Sequence, residues 1–207
     1  MTPERPVEPH SHFVVLDACV LMPTILRRLL LRLAQAGVYE PVWSVRIGEE
    51  WRRNAARLWD VPEEMLLAEW QDMNGRFPEA DPGDPAPYEV GLKYSDPKDW
   101  HVIAAGLARR ARARRVHTPQ LTVMTWNLKD FNRSELRRQA VQVSNPDALI
   151  AAWLQSDMMR VGSTFDDLCA DAQCVGRPGG DTVQVLRRER LFRTANLWEQ
   201  NVACVMP

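Results

Sequence analysis

Glycine is sparse, 10 in 207 residues, and no Gly-rich loop follows the first apolar run. That absence disfavours a phosphatase or other α/β hydrolase built around a phosphate-cradling turn. Cysteine is scarce too. Cys19, Cys169, Cys174 and Cys204 are scattered, with no CxxC pair and no His at zinc-finger spacing, so they read as reduced thiols. Long apolar runs are missing: the best two, residues 25–33 and 148–154, are short, and Arg27, Arg28 and Arg32 interrupt the first. Neither spans a bilayer, so no membrane association is expected. The first residues lack the charged, apolar and small-residue succession of a signal peptide, which makes the cytoplasm the expected compartment. Excess charge is absent as well, at a formal net −1, so any nucleic-acid contact must come from local clusters of arginine. Internal repeats and low-complexity tracts are absent.

What remains is a 45% hydrophobic chain, enough for one domain with a real core and an appendage. Residues 1–12 have no periodicity and read as a disordered leader, with His10 and His12 in solvent. Residues 13–16 form a buried-strand run ended by Asp17, and an acid at the carboxyl end of a parallel strand is where open α/β sheets place ligands. Residues 23–36 read as a helix with Ile25, Leu26, Leu29, Leu30 and Leu33 inward, Arg27, Arg28 and Arg32 outward, and Gly37 as its stop. Residues 38–43 give a second strand. Ser44 caps a helix over 45–59, with Ile47 and Trp51 inward and Glu49 and Glu50 among the polar residues. A helix over 62–76 and a Pro/Asp/Gly-rich loop over 77–87 follow.

The stretch Asp96-Pro97-Lys98-Asp99-Trp100-His101-Val102-Ile103 opens a central helix, with Asp96 as N-cap and Pro97 as the first helical residue. Offsets of three, four, seven and eight from Asp99 reach Val102, Ile103, Gly106 and Leu107, so Asp99 heads the buried stripe. It either returns a capping-box bond to the Asp96 amide or faces a metal shared with other acids. Five arginines between Arg109 and Arg115 then form either a solvated helix end or an RNA-binding patch. Residues 121–125 are a strand, 126–131 its loop, 137–143 lead to an edge strand, and Asn145-Pro146-Asp147 starts a helix through Trp153. Strands and helices alternate, which predicts a parallel sheet covered on both faces. From residue 155 onward the pattern becomes helical, over 165–172 and 183–200, with a loop at 175–180.

Acids thus stand at strand ends or helix starts at Asp17, Asp99 and Asp130, with Glu50 or Glu49 on the helix after the second strand. Converging at one sheet edge, they form a cluster whose like charges raise one another's pKa and which a divalent cation relieves. Oxygen-only ligands favour Mg²⁺ or Mn²⁺ over zinc.

In order and spacing, Val15-Leu16-Asp17-Ala18-Cys19, Ser44 through Asn54 with Glu49-Glu50-Trp51, Asp96-Pro97-Lys98-Asp99 through Ala105, and Thr125-Trp126-Asn127-Leu128-Lys129-Asp130-Phe131 resemble the PIN-domain nucleases, especially the VapC-like branch. The resemblance covers residues 13–153. It implies an α/β fold, a Rossmann-like α/β/α sandwich with a central parallel sheet over residues 13–154; the helical C-terminal extension over 155–207, read from the change of pattern, lies beyond the resemblance. It also implies a metal-dependent endoribonuclease in which Asp17, Glu50, Asp99 and Asp130 are catalytic and hold Mg²⁺ or Mn²⁺. Asp96 and Glu49 are accessory neighbours, and Thr125 and Asn127 orient the phosphate or water. Many relatives carry Asp where Asn127 stands, while others place the acid three residues later, as with Asp130. Cys19 replaces an Asn or Ser that orients the first Asp. The partners implied are an RNA substrate and, for the toxin of a type II toxin–antitoxin pair, a cognate antitoxin and a second copy of the chain. The alternatives are a PIN-like module that binds RNA or protein without cutting, and an RNA-processing nuclease outside a toxin system. Trp100 and Trp126 read as core residues in preference to base-stacking surfaces.

Overall fold

The computed structural model describes residues 12–113 and 118–205. In chain order, β1 (His12–Leu16), α1 (Ala18–Leu21), α2 (Thr24–Gln35), β2 (Glu40–Val42), α3 (Val45–Trp59) and α4 (Glu63–Arg76) come first. Then follow α5 (Trp100–Arg112), β3 (Gln120–Met124), α6 (Arg133–Arg138), β4 (Gln142–Ser144) and α7 (Pro146–Ser156). The C-terminal part is α8 (Met158–Ser163), α9 (Leu168–Cys174), α10 (Thr182–Arg188) and α11 (Phe192–Val205).

The four strands are all parallel, in the order β2-β1-β3-β4. Phe13, Val14, Val15 and Leu16 are each 0% exposed. Successive strand residues point to opposite faces, so this run requires helices on both sides of the sheet, as its unbroken apolar character predicts. The chain leaves β1 for β2 on one side and later adds β3 on the other. The crevice beyond the carboxyl ends of β1 and β3 is therefore the topological switch point, where such sheets bind ligands. Register brings Leu16 opposite Met124, so Asp17 and Thr125 leave the sheet side by side.

Two glycines let helices approach closely. A Cβ on Gly106 of α5 would stand 2.7 Å from Val15 and 2.9 Å from Leu121, and one on Gly48 of α3 would collide with the Trp70 ring of α4. Gly106 thus seats α5 against β1 and β3, which brings the start of that helix to the switch point.

Several expectations are corrected. His12 is not in a solvated leader: it opens β1, its Nε2 lies 2.8 Å from Thr122 Oγ1, and burial lowers its pKa to about 4. His10 and the rest of residues 1–11 lie outside the described residues. Arg27 does not face solvent but is 1% exposed, donating to Glu69 Oε1 from Nε and Nη2 at 3.1 and 2.5 Å and to the Leu21 carbonyl at 2.6 Å. Its guanidinium also lies over Trp51 at 5.0 Å, which a planar, weakly hydrated cation tolerates. Arg109 is buried too, over Phe13 at 4.6 Å and near Glu40. Arg110 donates to the Gln139 and Ala140 carbonyls. These arginines act within the fold; Arg114 and Arg115 lie outside the described residues.

The helix expected over 183–200 is two helices, broken at Arg190 with φ +64. Helices α8 and α6 were not foreseen. The C-terminal helices are fastened by acids: Asp171 of α9 pairs with Arg28 and Arg32 of α2 at 3.0 and 2.6 Å. Asp147 of α7 accepts from the Arg193 and Thr194 amides at 2.9 and 3.0 Å, capping the start of α11. Among the described residues no helix is long and apolar enough to cross a membrane.

Candidate functional site

Asp17 follows β1 directly and is 3% exposed. Its amide donates to the Met124 carbonyl at 3.2 Å, tying it to β3. Its Oδ2 accepts from Thr125 Oγ1 at 2.6 Å and from Cys19 Sγ at 3.1 Å. Burial raises the Asp17 pKa; the Thr125 and Cys19 hydrogen bonds oppose the rise and the nearby Glu50 adds to it. Cys19 therefore does orient the first acid, and burial followed by the Asp17 charge pushes its own pKa up to about 12, so it stays a thiol donor. Thr125 is 0% exposed, donating to Asp17 and accepting the Asn127 amide at 2.9 Å. It stands behind the carboxylate, while Asn127 is exposed in the cleft.

At the start of α5 the capping box does not form. Asp96 Oδ1 accepts from the Lys98 amide at 3.0 Å, and a short 3-10 turn, Pro97–Asp99, precedes the α-helix. The Asp96 amide donates instead to the Asp130 carbonyl at 2.8 Å, and the Asp99 side chain makes no capping bond. The structural role open to Asp99 in the sequence is thereby taken by another residue. Its carboxyl is raised to about 6, first by burial and then by the negative charges of Asp17, Asp130, Asp96 and Glu50. Asp17, Asp130, Asp96 and Glu50 thus act electrostatically on one group, and Glu49 is not among them.

Glu50 and Glu49 separate cleanly. Glu49 is exposed, whereas Glu50 is half-buried with Oε2 3.5 Å from His101 Nε2. That distance is long for a well-formed hydrogen bond, yet His101 is the first cause holding the Glu50 carboxyl below the usual range, ahead of Arg53 and Arg46. Asp130 ends a 3-10 turn, Leu128–Asp130, and is half-buried. Glu50, Asp99, Asp130, Asp96, Glu49, Asn127 and His101 line one cleft of about 610 Å³, with Arg46, Arg53 and Lys98 also on its wall. Acids and cations thus share the lining of one cleft.

The loop carrying Asp96 is held by an acid that sequence reasoning passed over. Glu135 is 5% exposed and accepts from the Lys93, Tyr94 and Ser95 amides at 2.6, 3.1 and 2.8 Å. Ser95 Oγ in turn accepts the Asn132 amide at 3.0 Å. The Asn132-x-x-Glu135 spacing marks a helix start, and Asn132 does cap α6 through the Glu135 amide; nothing in it announced a receptor for a distant loop. His101 was also passed over, a polar residue inside an apolar helical run. Trp100 and Trp126 are half-buried and packed on the core, Trp100 donating to the Ser95 carbonyl at 2.9 Å.

The donor set is carboxylate oxygen, which fits a hard divalent cation in its chemistry. Among the described residues, no three His, Cys, Asp or Glu side chains are grouped closely enough to hold an ion as they stand. Holding one requires these side chains to draw in. Comparisons with family models, with curated proteins and with solved structures gave no match.

Proposed function

We propose that this protein is a Mg²⁺- or Mn²⁺-dependent endoribonuclease with a PIN-type site, in which Asp17, Glu50, Asp99 and Asp130 hold the cation. The observation that carries the reading is the convergence of Asp99, an acid whose side chain makes no capping bond, with Glu50, Asp96 and Asp130 on one cleft. A divalent cation held by these carboxylates would supply the activation of water and the stabilisation of charge on the leaving oxygen. The chain's own residues do the rest. Thr125 and Cys19 fix Asp17, Glu135 and Asp96 fix the loops that carry Asp99 and Asp130, and Arg46, Arg53 and Lys98 attract the RNA backbone. Asn127, exposed in the cleft, is placed to donate to a phosphate oxygen. The biological role that fits this chemistry is the toxin of a type II toxin–antitoxin pair, dimeric and neutralised by a small cognate protein.

A second reading is favoured by one observation, the absence among the described residues of three acids grouped for an ion. In it the same cleft binds RNA or protein without cutting. Purified protein incubated with a mixed RNA pool in Mg²⁺, Mn²⁺ or EDTA, beside Asp99→Asn, separates the two. The nuclease cuts only with metal and the variant does not; a well-folded protein that binds RNA and never cuts is a binding module.

A further inference from the structure

His101 is 2% exposed, and neither of its ring nitrogens has a hydrogen-bond partner. A core histidine ordinarily satisfies at least one, because an orphaned buried polar atom is costly and leucine or phenylalanine would fill the same volume without that cost. The ring instead lines the acid cleft with Nε2 3.5 Å from Glu50 Oε2. It sits on α5 two residues after Asp99, which ends the turn leading into that helix, and Glu50 sits on α3, so this pair is a polar link between α3 and α5. A shortening of a few tenths of an ångström makes it a charge-assisted hydrogen bond.

We propose that His101 is a positioning residue that donates from Nε2 to Glu50 and holds that carboxylate in register with Asp99 for a divalent cation. This rests on the cleft being a cation site, as proposed above. His101 acts through Glu50; it does not touch the ion or the RNA. Only Oε2 takes part in the contact, which leaves Oε1 outside it. Partners of this kind behind a ligating carboxylate change metal affinity by about 10–100-fold when removed.

The test is Mn²⁺ binding to EDTA-stripped protein by calorimetry, for the wild type, Asp99→Asn, His101→Leu and His101→Gln, with circular dichroism as the check of folding. Leucine fills the site without a donor, and glutamine restores an N–H near the position of Nε2. The expected result is Mn²⁺ affinity weakened about 10–100-fold in His101→Leu and recovered to within a few-fold in His101→Gln. Wild-type affinity in folded His101→Leu, or equal weakening in both variants, overturns the role of His101 and leaves the cation site standing. Unfolding of both variants also overturns it, making His101 a core residue. A wild type that binds no Mn²⁺ removes the cation site itself, and this role with it.

Discussion

Asp17 and Glu135 are buried almost equally, 3% and 5% exposed, yet their carboxyls move in opposite directions. Burial pushes both up. For Glu135 the amides of Lys93, Tyr94 and Ser95 outweigh it and hold the group below the usual glutamate range. Asp17 receives one hydroxyl and one thiol and has Glu50 nearby, so its pKa stays raised. Depth alone therefore does not decide whether an acid's charge is satisfied. What separates the two is whether the fold supplies enough donors for the charge. Glu135, Asp147 and Asp171 are supplied by amides or arginines; Asp17 and Asp99 are left in deficit beside other acids.

The largest effect expected from that difference is on activity. Asp17→Asn and Asp99→Asn should each lower metal-dependent RNA cleavage by about 10³-fold, several kcal/mol of barrier, measured as initial rates on a defined RNA. Neither change should unfold the protein. Cleavage that survives in both would make Asp17, buried behind the cleft lining, and the cleft acid Asp99 structural and erase the contrast.

Next comes stability on the other side of the comparison. Glu135→Gln should destabilise the fold by about 1.5–3 kcal/mol in urea, since three amides lose a charged acceptor. Because the folded Glu135 pKa is lowered, its contribution is present above the unfolded glutamate pKa and is lost as pH falls through the folded one. The variant should thus lose less stability on acidification than the wild type does. A Glu135→Gln protein as stable as wild type at pH 7 would show that the amides were adequately solvated without it.

A smaller effect of opposite sign is expected at Asp99. Its folded pKa, about 6 against an ordinary 3.8, is raised, so the ionised carboxyl opposes folding and stability declines as pH rises from about 3.8 to about 6. Asp99→Asn should remove that decline and stabilise the metal-free protein at pH 7 by about 1 kcal/mol once solvent screening is allowed for. Glu49→Gln is the smallest: for an exposed residue, stability should shift by less than about 0.5 kcal/mol. A large loss of cleavage in Glu49→Gln would move the proposed catalytic role from Glu50 to its neighbour.

The layered parallel sheet was legible because the run from Phe13 to Leu16 and the alternation of periods reflect burial on both faces. Asp17, Asp99 and Asp130 were legible because each stands where a strand or helix begins or ends. Arg27 misled the helical pattern, since a guanidinium stacked on Trp51 and paired with Glu69 behaves as a buried residue despite its charge. The capping box at Asp96 and Asp99 failed because a partner 34 residues away, the Asp130 carbonyl, took the amide. Glu135 and His101 escaped notice for the same reason: their roles depend on loops and helices remote in sequence, which local spacing does not encode.

The most direct test of a carboxylate deficit reserved for a cation is thermal melting of metal-free wild type and Asp99→Asn at pH 7, each with and without Mn²⁺. Asp99→Asn is expected to melt above the wild type without metal, and Mn²⁺ to raise the wild type while leaving the variant nearly unmoved. A variant that melts lower than the wild type, with Mn²⁺ shifting neither, would contradict such a deficit.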